Sequence, residues 1–158
     1  MTDRGLPEER SIQRRWVAPV TFALALAGVG VSTYLTIAHY SSPKVLACSA
    51  SGVVNCERVT TSQQSTILGV PVAVLGLVWF LAMAALCAPR AWRSGSAAIR
   101  VGRLVAVIAA MGMILWLVYA ELFIIRAICL WCTAAHVIAF ALFSIVVLYG
   151  WGPVADPE

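Results

Sequence analysis

ICLWCTAAHVIAFALFSIVVLYGW, residues 128–151, holds no Asp, Glu, Lys or Arg and opens on a Cys-x-x-Cys. A hydrocarbon core of roughly 30 Å takes about 20 helical residues to cross, so this stretch is long enough to span a membrane as one helix. Three further apolar stretches match it, at residues 17–40, 67–88 and 101–125. With 61% hydrophobic and 11% charged residues and a mean hydropathy of +0.90, the 158-residue chain lies outside the range of soluble domains. The expected fold class is all-α and integral to a membrane: a four-transmembrane-helix bundle forming one domain over residues 1–158, with no room for a second.

The first stretch follows Arg14 and Arg15 and resembles the apolar region of a signal peptide, but it is too long and no small-residue cleavage site follows it. It is read as a retained helix that runs out through His39 and Tyr40. Basic residues set the orientation. Arg4, Arg10, Arg14 and Arg15 precede the first span and Arg90, Arg93, Arg100 and Arg103 fall between the second and third, against Lys44, Arg58 and Arg126 on the other side. Both termini are therefore expected in the cytoplasm, with the loop of residues 41–66 and the turn before residue 128 outside. The net charge of +4 follows from these helix-end residues, so topology accounts for it and no nucleic-acid partner is implied. Trp16, Trp79, Trp131 and Trp151 lie near predicted helix ends and read as interfacial anchors. The segment 89–100 and the two tails read as short polar connections.

This topology puts four of the five cysteines on one face, Cys48 and Cys56 in the outer loop and Cys129 and Cys132 at the mouth of the last helix. Disulfides form and persist on that side. Cys87 stands alone near the inner end of the second span and reads as a small apolar residue. In Cys129-Leu130-Trp131-Cys132 the two sulfurs share a helix face, and the unpaired N–H groups of the first turn favour a thiolate. That pair reads either as a redox centre or as a static disulfide or inert thiols. The seven residues between Cys48 and Cys56 are small and flexible, compatible with a structural staple or with a mobile pair that attacks a disulfide at the helix mouth.

A thiol relay needs an acceptor. The bundle offers no haem or iron–sulfur ligand set, which leaves a lipid-soluble quinone held between the helices in a mostly apolar pocket with one or two polar groups. His136, four residues after Cys132 on the same face, is a candidate to bond a quinone carbonyl or move a proton, or else an interhelical histidine. Glu121 and Tyr119 lie near the outer end of the third span. An intramembrane ionisable residue is a candidate functional residue, although Glu121 is close enough to the interface to reach water or Arg126.

The chain resembles the vitamin K epoxide reductase family of membrane thiol oxidoreductases. The blocks that carry the likeness are Cys48, the run Cys56-Glu57-Arg58-Val59-Thr60-Thr61-Ser62, the run Gly69-Val70-Pro71-Val72-Ala73 with Gly76, and the CLWC of residues 129–132, in order over nearly the whole chain. The resemblance implies four helices around a quinone under an exoplasmic cap loop with room for a short helix. By position it makes Cys132 the cysteine next to the quinone and able to form an adduct with it, Cys129 its disulfide partner, Cys56 the residue that exchanges with Cys129, and Cys48 the outer partner that meets the substrate thiol. Ser62 falls near the quinone or the cap.

Two departures qualify the likeness. Some bacterial relatives carry a fused thioredoxin-like domain after the bundle, whereas this chain stops at Glu158, so the expected partner is a separate exoplasmic thioredoxin-fold protein of the DsbA type. Animal members have a tyrosine where this chain has His136, so vitamin K epoxide reduction is not assumed. The resulting expectation is a multi-pass protein of a bacterial inner membrane that passes electrons from the partner's thiols to menaquinone or ubiquinone and so supports disulfide formation, with no metal. Two other classes remain as alternatives: a transmembrane conduit carrying reductant outward, which needs a thiol pair on the inner side, and a non-catalytic bundle whose four thiolates hold zinc.

Overall fold

The computed structural model describes residues 16–41, 46, 48 and 53–150. Arg4, Arg10, Arg14, Arg15, Lys44 and Trp151 lie outside the described residues. Helix α1 is Val17–Ser41, and its Pro19 falls in the first turn, where the missing N–H would have no intrahelical partner anyway. A short helix α2, Cys56–Thr60, and a 3₁₀ turn at Gln63–Ser65 lead to a two-stranded hairpin, β1 Thr66–Ile67 and β2 Val70–Pro71. Then come α3, Val72–Leu86; α4, Pro89–Arg93; α5, Ala97–Tyr119; a π-helical turn over Ala120–Ile125; and α6, Leu130–Tyr149.

Among the described residues, three helical segments are long and apolar enough to cross a membrane: Val17–Ser41, Ala97–Ile125 and Leu130–Tyr149. The second apolar stretch is helical only over the 15 residues of α3, or ~22 Å at 1.5 Å per residue. Its expected start at residue 67 is corrected by the hairpin, in which Thr66 pairs with Pro71 and Ile67 with Val70. Leu68 (φ 51°) and Gly69 (φ 81°) both turn through the left-handed region, as a tight two-residue hairpin demands. Pro71, which lacks an N–H and obstructs the preceding helical turn, holds the helix start at Val72. The connection 89–100 also carries a helix, α4, started by Pro89 at its first position.

Helix α1 lies against α3 and α6, and α6 against α5. Between them sits a core of Ala25, Phe80, Met83, Val107, Leu142 and Val146. Large apolar side chains such as Leu26, Leu81, Ile108, Leu115 and Phe140 stay exposed on the outer faces, the pattern of helices that are apolar all round and meet lipid rather than water. Helix α1 meets α3 closely at Gly28, where a Cβ would overlap the ring of Phe80.

The end of the bundle near α4 is tied by polar groups. Arg103, only 4% exposed, donates from Nε to the Leu86 carbonyl (2.8 Å) and lies over the Trp92 ring at 3.7 Å. Trp92 Nε1 donates to Thr21 Oγ1 (3.2 Å). Arg103 is thus more than a topological charge, since it closes the α3 C-terminus by hydrogen bond and cation–π contact. Cys87 is buried beside Thr21 and Arg103. Trp79 is not an interfacial anchor: its Nε1 donates to the Ala106 carbonyl (3.0 Å), joining α3 to α5. Trp16 packs edge-on against Tyr149 at the α4 end, and Trp131 against Tyr34 at the other.

Gly28→Val should lower the thermal midpoint of the detergent-purified protein, with a loss of about 1–3 kcal/mol from overpacking against Phe80. Adding Phe80→Leu should recover part of it. An unchanged midpoint in Gly28→Val would contradict the α1–α3 packing.

Candidate functional site

The end of the bundle opposite α4 brings the paired cysteines together. Cys48 and Cys56 form a disulfide, Cα–Cα 6.0 Å, while Cys129 and Cys132 are free thiols. The loop segment 53–55 adds itself to the turn before α6 by a parallel bridge, Val54 with Ile128. The Ile128 N–H donates to the Val53 carbonyl (2.9 Å), and the Asn55 N–H to the Ile128 carbonyl (3.1 Å). The next residue on each side is a cysteine, Cys56 after Asn55 and Cys129 after Ile128. Both are buried, at 2% and 0% exposure, in one apolar cluster with Leu35, Leu46, Val59 and Ile125.

Asn55 has a second task. Its side-chain oxygen accepts from the Arg58 N–H (2.9 Å), capping α2. One residue therefore sets both the register of the loop against α6 and the start of the helix on which Cys56 sits.

Cys129 occupies the cap position of α6, with extended backbone (φ −101°, ψ 116°). Its sulfur accepts from the Cys132 N–H at 3.4 Å, and its carbonyl from the Thr133 N–H at 2.9 Å. The Cys132 thiol donating to it, aided by the first-turn amides, holds the Cys129 thiol below its ordinary range against the opposing effect of burial. Of the two helix-mouth cysteines, Cys129 is thus the one whose ionisation the first turn favours.

The turn that delivers Cys129 is built on Glu121. The wide π-helical turn lets the Glu121 carbonyl accept from the Arg126 N–H and from the Ala127 N–H (3.1 Å). Arg126 adopts a left-handed conformation (φ 54°), a strain of roughly 1–2 kcal/mol for a residue with a side chain that these bonds offset. The Glu121 carboxyl faces the Cys129 N–H and is 6% exposed. Arg126, by contrast, is exposed.

Below the helix mouth lies a cavity of about 390 Å³, mostly apolar, bounded by α1, α3, α5, α6 and the segment after α2. Cys132, His136 and Glu121 line it, as does Ser62, whose hydroxyl donates to the Val59 carbonyl (2.7 Å) and keeps its lone pairs for another donor. Cys129 does not line it, whereas Cys132 both lines it and packs against the loop cluster, so only the second sulfur of the motif reaches the cavity. The volume and the few convergent polar groups fit a small aromatic ligand such as a quinone head group.

Tyr119 is not brought to this site. Its ring is half-exposed on the outer face of α5, stacked on Phe123 at 5.2 Å and beside Trp116 at 6.0 Å. At about 100° per residue, positions 119 and 121 point to nearly opposite sides of a helix. Two lining residues went unremarked in the sequence, His39 at the end of α1 and Gln64 in the 3₁₀ turn. For His39 the signal was present, an ionisable side chain inside the first span. Among the described residues no group of three or more His, Cys, Asp or Glu is placed to hold a metal ion.

The model of the Vitamin K epoxide reductase family matches residues 19–147, from the first turn of α1 to the last turn of α6 and across both cysteine pairs. That span is most of the chain, and it contains the three long apolar helices, the loop disulfide and the helix-mouth thiols described above. The chain belongs to the vitamin K epoxide reductase family of membrane oxidoreductases, which act through thiols and are linked to quinones.

Proposed function

We propose that the protein is a thiol:quinone oxidoreductase that reoxidises a separate exoplasmic thioredoxin-fold protein and passes the electrons to menaquinone or ubiquinone. The observation that carries this reading is the division of labour within the CLWC motif: Cys129 is buried beside Cys56, and Cys132 lines the cavity. In this scheme α3 and the preceding hairpin complete a fourth membrane crossing, both termini are cytoplasmic and the cysteine end faces out of the cell, in a bacterial inner membrane. The basic residues of the N-terminal segment and of positions 90–103 support that orientation.

The electrons move by thiol exchange. The partner's dithiol reduces the Cys48–Cys56 disulfide and leaves oxidised. The Cys56 thiolate attacks the Cys129 sulfur of an oxidised Cys129–Cys132 pair, giving a Cys56–Cys129 mixed disulfide and a free Cys132. Cys48 then attacks Cys56, restoring the loop disulfide and releasing the Cys129 and Cys132 thiols. This scheme passes through a stage with the loop pair oxidised and the helix-mouth pair reduced, and the pairing of Cys48 with Cys56 is compatible with it. His136, Ser62 and Glu121 are the side chains that would orient a quinone there, and the quinone supplies the two-electron sink. Apolar walls keep water from the exchanging sulfurs.

Cys132→Ala should abolish quinone reduction by the purified protein, whereas Cys48→Ala should block turnover with a thioredoxin-fold dithiol and spare turnover with dithiothreitol. Full quinone-linked turnover in Cys132→Ala would sink the assignment. Asn55→Ala removes a cap worth about 1 kcal/mol and loosens the Cys56 helix. Stopped-flow measurement should show electron transfer from the loop pair to the helix-mouth pair slowed about fivefold, with the quinone step measured from pre-reduced protein unchanged.

A further inference from the structure

We propose that Glu121 is the proton carrier of quinone reduction, taking the proton of the Cys129 thiol and delivering it to a quinone oxygen in the cavity. The proposal rests on the thiol:quinone reading and adds the path of a proton to it. Forming the Cys129–Cys132 bond releases two electrons and two protons, and converting a quinone to its hydroquinone consumes two of each. Cys132 lines the cavity, so its proton passes directly to one quinone oxygen. Cys129 is fully buried and does not line the cavity. Its proton needs a carrier to reach the cavity, since the thiol itself does not face it.

Glu121 meets both sides of that gap. Its carboxyl faces the backbone N–H of Cys129, lies within electrostatic reach of both sulfurs, and lines the cavity. Its own backbone carbonyl anchors the turn that returns the chain to Cys129, so carboxyl and thiol are held in one frame. Interrupted helical hydrogen bonding of this π type recurs at functional sites, and a buried intramembrane carboxyl without a function would be costly to keep. The other titratable groups facing the cavity are Cys132 and His136 on α6 and His39 on α1. Glu57, Arg58 and Arg126 are exposed.

The step balances. The S–H bond of Cys129 breaks as Glu121 is protonated, the Cys129–Cys132 bond forms as two electrons pass to the quinone, and Glu121 returns its proton to form the second O–H. Glu121 begins and ends ionised, and the sum is two thiols and a quinone giving a disulfide and a hydroquinone.

The test is single-turnover reduction of short-chain menaquinone and ubiquinone analogues by the pre-reduced, detergent-purified full chain between pH 5.5 and 9. Wild type is compared with Glu121→Gln and Glu121→Asp, and quinone affinity is measured separately by tryptophan quenching. In Glu121→Gln, quinone reduction at saturating quinone should be about a hundredfold slower than in wild type, beyond any change in the quinone affinity measured separately. Its rate should climb with pH, since the Cys129 thiol must then ionise without a base, and Glu121→Asp should recover part of the loss. A wild-type rate and pH profile in Glu121→Gln would overturn the proposal, as would a loss accounted for entirely by weaker quinone binding. Failure of the wild type to reduce either quinone would instead overturn the thiol:quinone reading on which the proposal stands.

Discussion

Two backbone hydrogen bonds between the loop and Ile128 are the constraint on which the site depends. A loop joined to the bundle by side-chain packing alone could slide, whereas a parallel bridge fixes register residue by residue. With Val54 opposite Ile128, Cys129 is the next residue on one strand and Cys56 lies two residues beyond Val54 on the other. Each bond is worth only about 1 kcal/mol net, but together they tie the loop to the turn immediately before two buried cysteines, Cys56 and Cys129. The register is therefore firm, while α2 and the loop disulfide beyond it are short elements with few contacts, suited to exchange.

A second constraint separates the two sulfurs of the CLWC motif. Residues three apart share a helix face, but Cys129 precedes the first helical residue and has extended backbone. It turns to the loop cluster while Cys132 turns to the cavity. The motif thus joins the loop cluster to the cavity. The Cys129 thiolate is favoured by the Cys132 thiol and the first-turn amides, which suits it to leave from a mixed disulfide with Cys56.

Much of this was legible in the sequence. Hydropathy located the first, third and fourth apolar segments to within a few residues, because a membrane span is a matter of length and apolar content. Cysteine spacing and charge bias placed both pairs at one end. The second span was misjudged, since Ile67, Leu68 and Val70 are as apolar as the helix they precede and only Gly69 and Pro71 mark the hairpin. Tyr119 was grouped with Glu121 by proximity in sequence, although helical geometry sets them on opposite faces. The tasks of Arg103, Trp79 and His39 depend on which carbonyl, ring or cavity lies across from them, and that is a property of packing which no local pattern encodes.

The central claim is that Cys56 and Cys129 are the sulfurs that meet. It is tested most directly by purifying the Cys48→Ala, Cys132→Ala double variant after oxidation and mapping its disulfides by mass spectrometry without reduction. The account predicts a Cys56–Cys129 disulfide as the dominant species, because each cysteine has lost its other partner. Recovery of Cys56 and Cys129 as free thiols, or of either bonded to Cys87, would contradict it.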